Sequence, residues 1–405
     1  MATKGAGDDA ARLRAWWAHK QGLDGSLNGA PAARVLGQAG WARSVGGVGP
    51  YLTLFARAGT SREVADHAVA TLDIHELPAA RGCTYVVPAS DFALALQCGP
   101  DEDAEMSLAR KLGVTDKEVD RLCQATVEAL TGQALLPDEL KQAVGGAVRS
   151  LGEEGAKKGL SSTLPLATGR LQAAGEIRRV PVNGRLDQQR YRYTRWQPNP
   201  LTGRTLPRAQ VFVELARRYF RWTGPASAAE FQWFSGLGVK AAKTALAGLD
   251  LVAFPGGGDR LIFADELDAF QAFKTPRVAC YALVSSLDGI SHLRRDVKGL
   301  LDEADWKGAV PGGKKGSVLG GLADFPSHAI VDRGRVVGFW EFDVEAQDIA
   351  WWPFVPAGRA LAAAVARTEA LVRDELGDAR AFSLDSPKSR APKITAIRTR
   401  RRPGL

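Results

Sequence analysis

Residues 206–263 read LPRAQVFVELARRYFRWTGPASAAEFQWFSGLGVKAAKTALAGLDLVAFPGGGDRLIF, and this stretch decides the fold. Val211, Leu215, Tyr219 and Trp222 recur near helical spacing, so PRAQVFVELARRYFRW forms one amphipathic helix. Ser227-Ala-Ala-Glu230 is a capping box, in which serine and glutamate each accept the other's backbone amide, and it opens a second helix. Gly236-Leu-Gly238 turns the chain into a third, VKAAKTALAGL. LVAF and RLIFA, joined by Pro255-Gly-Gly-Gly-Asp259, then make a hairpin. Three helices with a tight turn between the last two, followed by a hairpin, define a winged helix-turn-helix.

Upstream the pattern repeats. Thr115-Asp-Lys-Glu118 caps a helix with Val119, Leu122, Cys123, Val127 and Leu130 on one face, and Pro137-Asp-Glu-Leu140 starts a shorter one. Beyond a linker, GEEGAKKG, a third helix covers 162–174. EIRRVPV and QRYRYTRW flank Asn183-Gly184, a strong hairpin signal, and form a wing rich in arginine. A fainter first copy has helices at 9–20, 30–40, 48–58 and 61–72, a strand CTYVVP and a helix at 90–97.

Downstream the texture turns strand-like in VACYALVS, HAIVD, RVVGFWEFD and DIAWWPF, with a long helix at 357–376. A Gly-rich insertion, 286–327, separates the first two of these strands. The expected fold is α+β: three tandem winged helices (8–100, 101–200, 206–275), then a β-rich, barrel-like domain with a long helix (276–386). Residues 387–405, basic and proline-bearing, are expected to be a disordered tail.

The net charge of +8 is concentrated in two places. Lys388 to Arg402 holds seven bases and no acid, and Glu176 to Arg195 holds six arginines against two acids. The remainder is mildly acidic, so the chain presents two positive patches suited to a polyanion. On strands, side chains alternate between faces, so Arg190 and Arg192 alternate with Tyr191 and Tyr193. Candidate contacts to nucleic acid are Arg178, Arg179, Arg185, Arg190, Arg192 and Arg195 in the wing. Arg294 and Arg295, and Lys314 and Lys315 in the Gly-rich insertion, join them.

Other chemistries find no support. GAVPGGKK at 308–315 lacks the hydroxyl residue a phosphate-binding loop needs after its lysine. The five histidines and four cysteines show no metal-ligand spacing, so neither metal nor cofactor is expected. No apolar run is long enough to span a membrane, and the two early acids of MATKGAGDDAARLRAWW argue against a secretory leader. Four scattered cysteines suit a reducing cytoplasm, and the two basic patches favour a nucleic-acid partner.

RRYFRWTGPASAAEFQWFSGLGVKAAKTALAGLDLV resembles the third winged helix of the AlkZ/YcaQ superfamily of bacterial winged-helix DNA glycosylases. ARGCTYVVPASDF, VDRGRVVGFWEF and LVSSLDGISHLRRD are similar, in order, to further segments of that family, over about 30–385. The resemblance implies three winged helices and a C-terminal β-rich domain arranged around duplex DNA. Active members carry Gln-x-Gln or Gln-x-Asp near the end of an early helix, to position water and stabilise the developing sugar cation. Anchored on YLTLFARA, that motif falls on Ser44-Val45-Gly46; anchored on Leu36-Gly37, it falls near Gln38-Ala39-Gly40. Neither register supplies a second Gln or Asp, and glycine cannot orient a water. Gln38, Ser44 and Asp288 are the remaining catalytic candidates, Asp288 being better suited to bracing a loop.

Three readings follow. The first is a DNA-binding protein of repair, or one that protects modified DNA. The second is a monofunctional glycosylase acting on alkylated or crosslinked bases through a divergent site. The third is a scaffold for protein contacts that binds no DNA.

Overall fold

The computed structural model describes residues 2–99 and 102–400. The chain opens with α1 (Ala2–Lys20), α2 (Ala32–Ala39), β1 (Ala42–Arg43), α3 (Gly49–Ala58) and α4 (Arg62–Ala70). β2 (Ile74–Pro78), β3 (Thr84–Pro88) and α5 (Phe92–Gln97) follow, with β3 central in an antiparallel sheet of order β1-β3-β2. The helices and the CTYVVP strand lie where periodicity placed them. β1, two residues long, and β2, whose IHELP sets a buried His75 among its apolar residues, carry no strand signature.

Next come α6 (Glu102–Lys111), α7 (Asp116–Ala129), α8 (Pro137–Val144), α9 (Gly152–Lys157) and α10 (Leu164–Ala173). The expected linker GEEGAKKG is therefore largely helical. β4 (Ile177–Pro181) and β5 (Tyr191–Arg195) pair antiparallel, with Arg179 opposite Tyr193 and Val180 opposite Arg192. Leu122, Leu140, Ala167, Ile177 and Tyr193 form a core confined to this segment.

The stretch quoted first forms α11 (Arg208–Thr223), β6 (Ala226–Ser227), α12 (Ala228–Ser235), α13 (Val239–Ala247), β7 (Leu251–Ala253) and β8 (Arg260–Phe263). Its capping box is complete: Ser227 Oγ accepts from Glu230 N at 3.1 Å, and Glu230 Oε2 accepts from Ser227 N at 2.6 Å. Gly236, at φ +74°, closes α12 in the left-handed region and so turns the chain toward α13. β6 pairs with β8, giving three strands in the order β6-β8-β7.

α14 (Ala264–Ala272) leads to β9 (Tyr281–Val284), the short α15 (Gly289–His292), β10 (His328–Asp332), β11 (Arg335–Asp343) and β12 (Asp348–Pro353). These four strands make an open antiparallel sheet, β12-β11-β10-β9. The barrel-like expectation is corrected here: β12 and β9 remain separate edges, and helices cover the sheet instead. Along β11, Val337, Trp340 and Phe342 join the core built from α2, α3, α4 and α16 (Arg359–Leu371). Val336 and Phe339 turn the other way, onto Trp16, Trp17 and Phe270. Burial on both faces explains why RVVGFWEF reads as continuous apolar sequence rather than as alternation. The Gly-rich insertion is likewise packed, with Val297, Leu300, Leu319 and Phe325 buried.

The tail also differs from expectation. α17 (Pro387–Arg398), capped by Ser386, lies along β11 and β12. Arg390 is 1 % exposed and forms a two-pronged pair with Asp378 at 2.7 and 2.9 Å. Ile397 is buried and Arg398 reaches Asp343 at 3.1 Å. Charge count suggested disorder, but acids on another segment neutralise these arginines. The boundary expected at 100–101 and the last residues of the tail, 401–405, lie outside the described residues.

Arg390→Ala should destabilise the protein by about 1.5–3 kcal/mol, the usual cost of losing hydrogen bonds to a charged group. Truncation after Pro387 should lower the melting temperature too. Thermal melts of both variants check this, and an unchanged melting temperature on truncation would mean that α17 contributes nothing to the fold.

Candidate nucleic-acid interface and polar pocket

Three separate parts of the chain meet around a buried ion pair. Arg57, on α3, donates to both oxygens of Asp288 at 2.8 Å, and both side chains are fully buried. The same guanidinium donates to the backbone and side-chain oxygens of Gln21, at 2.8 and 3.0 Å. Asp288 also caps α15, its Oδ1 accepting from Ile290 N at 3.0 Å. With both oxygens engaged and no exposure, Asp288 is a brace and not a catalytic acid.

The brace aims α15 at Trp233 of α12. His292 meets the indole edge-on at 5.3 Å, while the guanidinium groups of Arg81 and Arg295 lie 3.9 and 5.0 Å from its ring centre. Arg81 and Arg295 sit at φ +58° and +57°, a region non-glycine residues rarely occupy. Such strain persists where the surroundings over-determine the backbone, and functional sites are where it gathers. Arg295 also pairs with Asp324 at 2.8 Å. Burial pushes His292 down to about 4 despite the opposing pull of Asp324, and Arg43, Arg81 and Arg295 add to the depression. The ring is thus neutral at pH 7, and neither nitrogen has a hydrogen-bond partner among the described residues.

Beside His292 a polar cavity of about 180 Å³ opens at the end of the central sheet. Asp324, Ser327, His328, Glu341, Asp385 and Lys393 contribute to its wall. His328 Nδ1 accepts from Ser286 N at 2.9 Å, which leaves Nε2–H to donate to Ala379 O at 2.6 Å. Burial lowers its pKa, keeping the ring neutral in this tautomer. Ser327 Oγ and Asp324 Oδ1 are buried with no hydrogen-bond partner among the described residues.

The sequence-nominated residues fall into distinct places. Ser44 is buried and donates to Glu76 at 2.5 Å, so its hydroxyl is already committed. Gly46 and Gly47 stand where the chain at 380–383 crosses them. A Cβ on Gly47 would lie 2.3 Å from Ala381 O, and Val48 N donates to Arg380 O at 3.0 Å. Close backbone approach accounts for glycine at 47, and a φ of +75° with the Gln189 side chain alongside accounts for it at 46. Gln38 is half-buried near the end of α2, and Gly40 packs on Trp222 and Leu293.

Among the wing arginines, Arg178 and Arg192 share one face with Thr194, while Arg179 faces the other way with Tyr191 and Tyr193. Arg179 stacks on Tyr191 at 4.8 Å and approaches Glu76 at 3.8 Å. Arg185 is held by Asp187 and by Leu376 O, and Arg195 by Glu176 at 3.4 Å. Arg178, Arg190 and Arg192 have no ion-pair partner among the described residues. Arg294 is corrected from a surface contact to an internal brace. It is 3 % exposed, donates to Thr223 O and Pro225 O, and covers the Trp17 ring at 4.1 Å. Lys314 and Lys315 are exposed on a turn whose Gly312 lies against Lys393. Arg43, Arg81, Trp233, His292, Glu341 and Lys393 were not singled out from sequence, because each lies on a different segment and no short spacing connects them.

The profile of the DNA glycosylase AlkZ-like family matches residues 47–382, and the chain belongs to that family. Membership brings DNA binding and DNA repair with it. Among solved structures, Streptomyces sahachiroi DNA glycosylase AlkZ is similar at 19 % identity, with a TM-score of 0.66 over 92 % of this chain and 98 % of that one. No curated protein matches. No helix among the described residues is long and apolar enough to cross a membrane, and no group of three or more His, Cys, Asp or Glu among them is placed to hold a metal.

Asp288→Ala, which strands Arg57 without its partner, should cost about 3–5 kcal/mol in urea unfolding. The pH dependence follows from His292. Its folded pKa lies below the unfolded value of 6.5, so the unfolded chain takes up a proton first as pH falls. Stability should therefore decline from about pH 6.5 to about 4, less steeply in His292→Gln, as thermal melts across that range would show.

Proposed function

We propose that this chain is a DNA-repair protein that grips duplex DNA with its unpaired arginines and presents a modified base to the polar pocket. One observation carries this reading: Trp233 lies near two guanidinium groups, beside a cavity in which Ser327 Oγ, Asp324 Oδ1 and the His292 nitrogens have no hydrogen-bond partner among the described residues. Indole and guanidinium faces suit stacking on bases, and guanidinium groups suit phosphates. The division into winged helices at 8–100, 101–200 and 206–275 and a β-rich unit at 276–386 belongs to this proposal. The α11-β6-α12-α13-β7-β8 order and the free Arg178–Arg192 face of the β4–β5 hairpin support it.

In this arrangement the hairpin tracks the phosphate backbone, and Lys314 and Lys315 approach it from the C-terminal side. Double-stranded DNA is the partner, a monomer is the working unit, and the nucleoid is the place of action. The glycosylase reading, hydrolysis of an N-glycosidic bond at an alkylated or crosslinked base, is favoured over protection alone by the pocket's carboxylates. The scaffold reading has no such feature in its favour.

The test is binding to a duplex over a range of salt. Changing Arg178, Arg190 and Arg192 to Ala should weaken binding across all sequences. It should also reduce the slope of log K against log salt by ~0.9 for each phosphate that is no longer neutralised. An unchanged slope in a folded variant would remove the hairpin from the interface, and salt-insensitive or absent binding by the parent protein would favour the scaffold.

A further inference from the structure

We infer that Glu341 is the catalytic base of this chain, replacing the polar pair that the early helix lacks. The inference rests on the glycosylase reading above. Glu341 lies on β11 and is 3 % exposed, yet it lines the cavity rather than packing into a core. Its carboxylate accepts no hydrogen bond from a described residue, and its nearest cation is Lys393 at 4.0 Å. An enclosed carboxylate whose one cation stands at the outer edge of ion-pair distance keeps lone pairs for a water or a substrate group.

The surroundings point to a ligand independently of the acids. Ser327, 2 % exposed, lines the same cavity with a hydroxyl that has no hydrogen-bond partner among the described residues, and neither nitrogen of His292 is hydrogen-bonded to one, Nδ1 lying 3.9 Å from Asp324 Oδ1. His328 is not available for the chemistry, because Ser286 and Ala379 occupy both its nitrogens. Asp324 gives one oxygen to Arg295 at 2.8 Å, and its other, buried oxygen lies 3.9 Å from His292 Nδ1. Asp385 accepts from Ala381 N and Ser389 Oγ at 3.2 and 3.3 Å, and Asp324 accepts from Arg295, so Glu341 is the carboxylate of this wall to which no described group donates.

The step balances without a cofactor. The bond from C1′ to the base nitrogen breaks, and its electron pair leaves with an alkylated, cationic base, which departs neutral. The oxygen of a water held by Ser327 and Glu341 bonds to C1′. The water's proton passes to the Glu341 carboxylate and then to solvent. The anionic carboxylate also favours the positive charge that develops on the sugar.

The test compares the full-length protein with Glu341→Gln on a duplex carrying a single N7-methylguanine, following free base by chromatography and duplex binding by gel retardation. Expected is a loss of base release of at least ~100-fold, in the range for a general base, with binding and melting temperature kept. Should Glu341→Gln melt early, Glu341→Asp keeps the charge in the same cavity and should slow release by about tenfold. A folded variant that releases base as fast as the parent overturns the assignment of Glu341 alone. A parent protein that binds the duplex and releases no base overturns the glycosylase reading, and this inference with it.

Discussion

The Arg57–Asp288 pair holds together parts of the chain that no local rule brings near one another. Arg57 belongs to an early helix, Asp288 to the start of the long insertion, and Gln21 to the end of α1. Desolvating two charges is offset only when geometry and hydrogen bonds are complete, and here they are. Its yield is orientation. With Asp288 fixed, α15 projects His292 at Trp233, and the next residues send Arg294 inward and Arg295 outward. His292, which lines the pocket and meets the indole, takes its position from this contact.

The central sheet provides the second constraint. Buried on both faces, it ties α1 and α14 on one side to α2, α3, α4 and α16 on the other. The segment from α6 to β5 keeps two small cores to itself. That leaves the arginine-bearing hairpin attached to a small separate core, while the pocket sits in the large shared one. A polar cavity in so tightly packed a setting holds its shape, which is what discrimination among bases requires.

Electrostatics sorts the cations by what lies beside them. Arg185, Arg195, Arg294 and Arg390 serve the fold, each held by an internal acid or carbonyl. Arg178, Arg190 and Arg192 have no ion-pair partner among the described residues. Counting bases along the sequence treats both sets alike, because sequence gives the number of charges and not the distance to the nearest carboxylate.

Much of the architecture was legible because helix caps, glycine turns and apolar periodicity are local properties. The Ser227–Glu230 box, the Asn183-Gly184 hairpin and the helices from 9 to 72 are written in a few neighbouring residues each. The early-helix departure was legible too, since glycine at 46 declares itself, although its surroundings, Gln189 and Ser383, lie over 140 and 330 residues away. What sequence could not decide was everything set by long-range contact. The four late strands stay open because helices cover both faces, the basic tail folds because Asp378 and Asp343 await it, and Asp288 becomes a brace because Arg57 reaches it. Likewise Glu341, one letter in a buried apolar strand, acquires a chemistry only because the folded chain leaves a cavity in front of it. Periodicity and caps act over one to four residues, whereas burial, pairing and cavities depend on which distant segments the tertiary structure brings into contact.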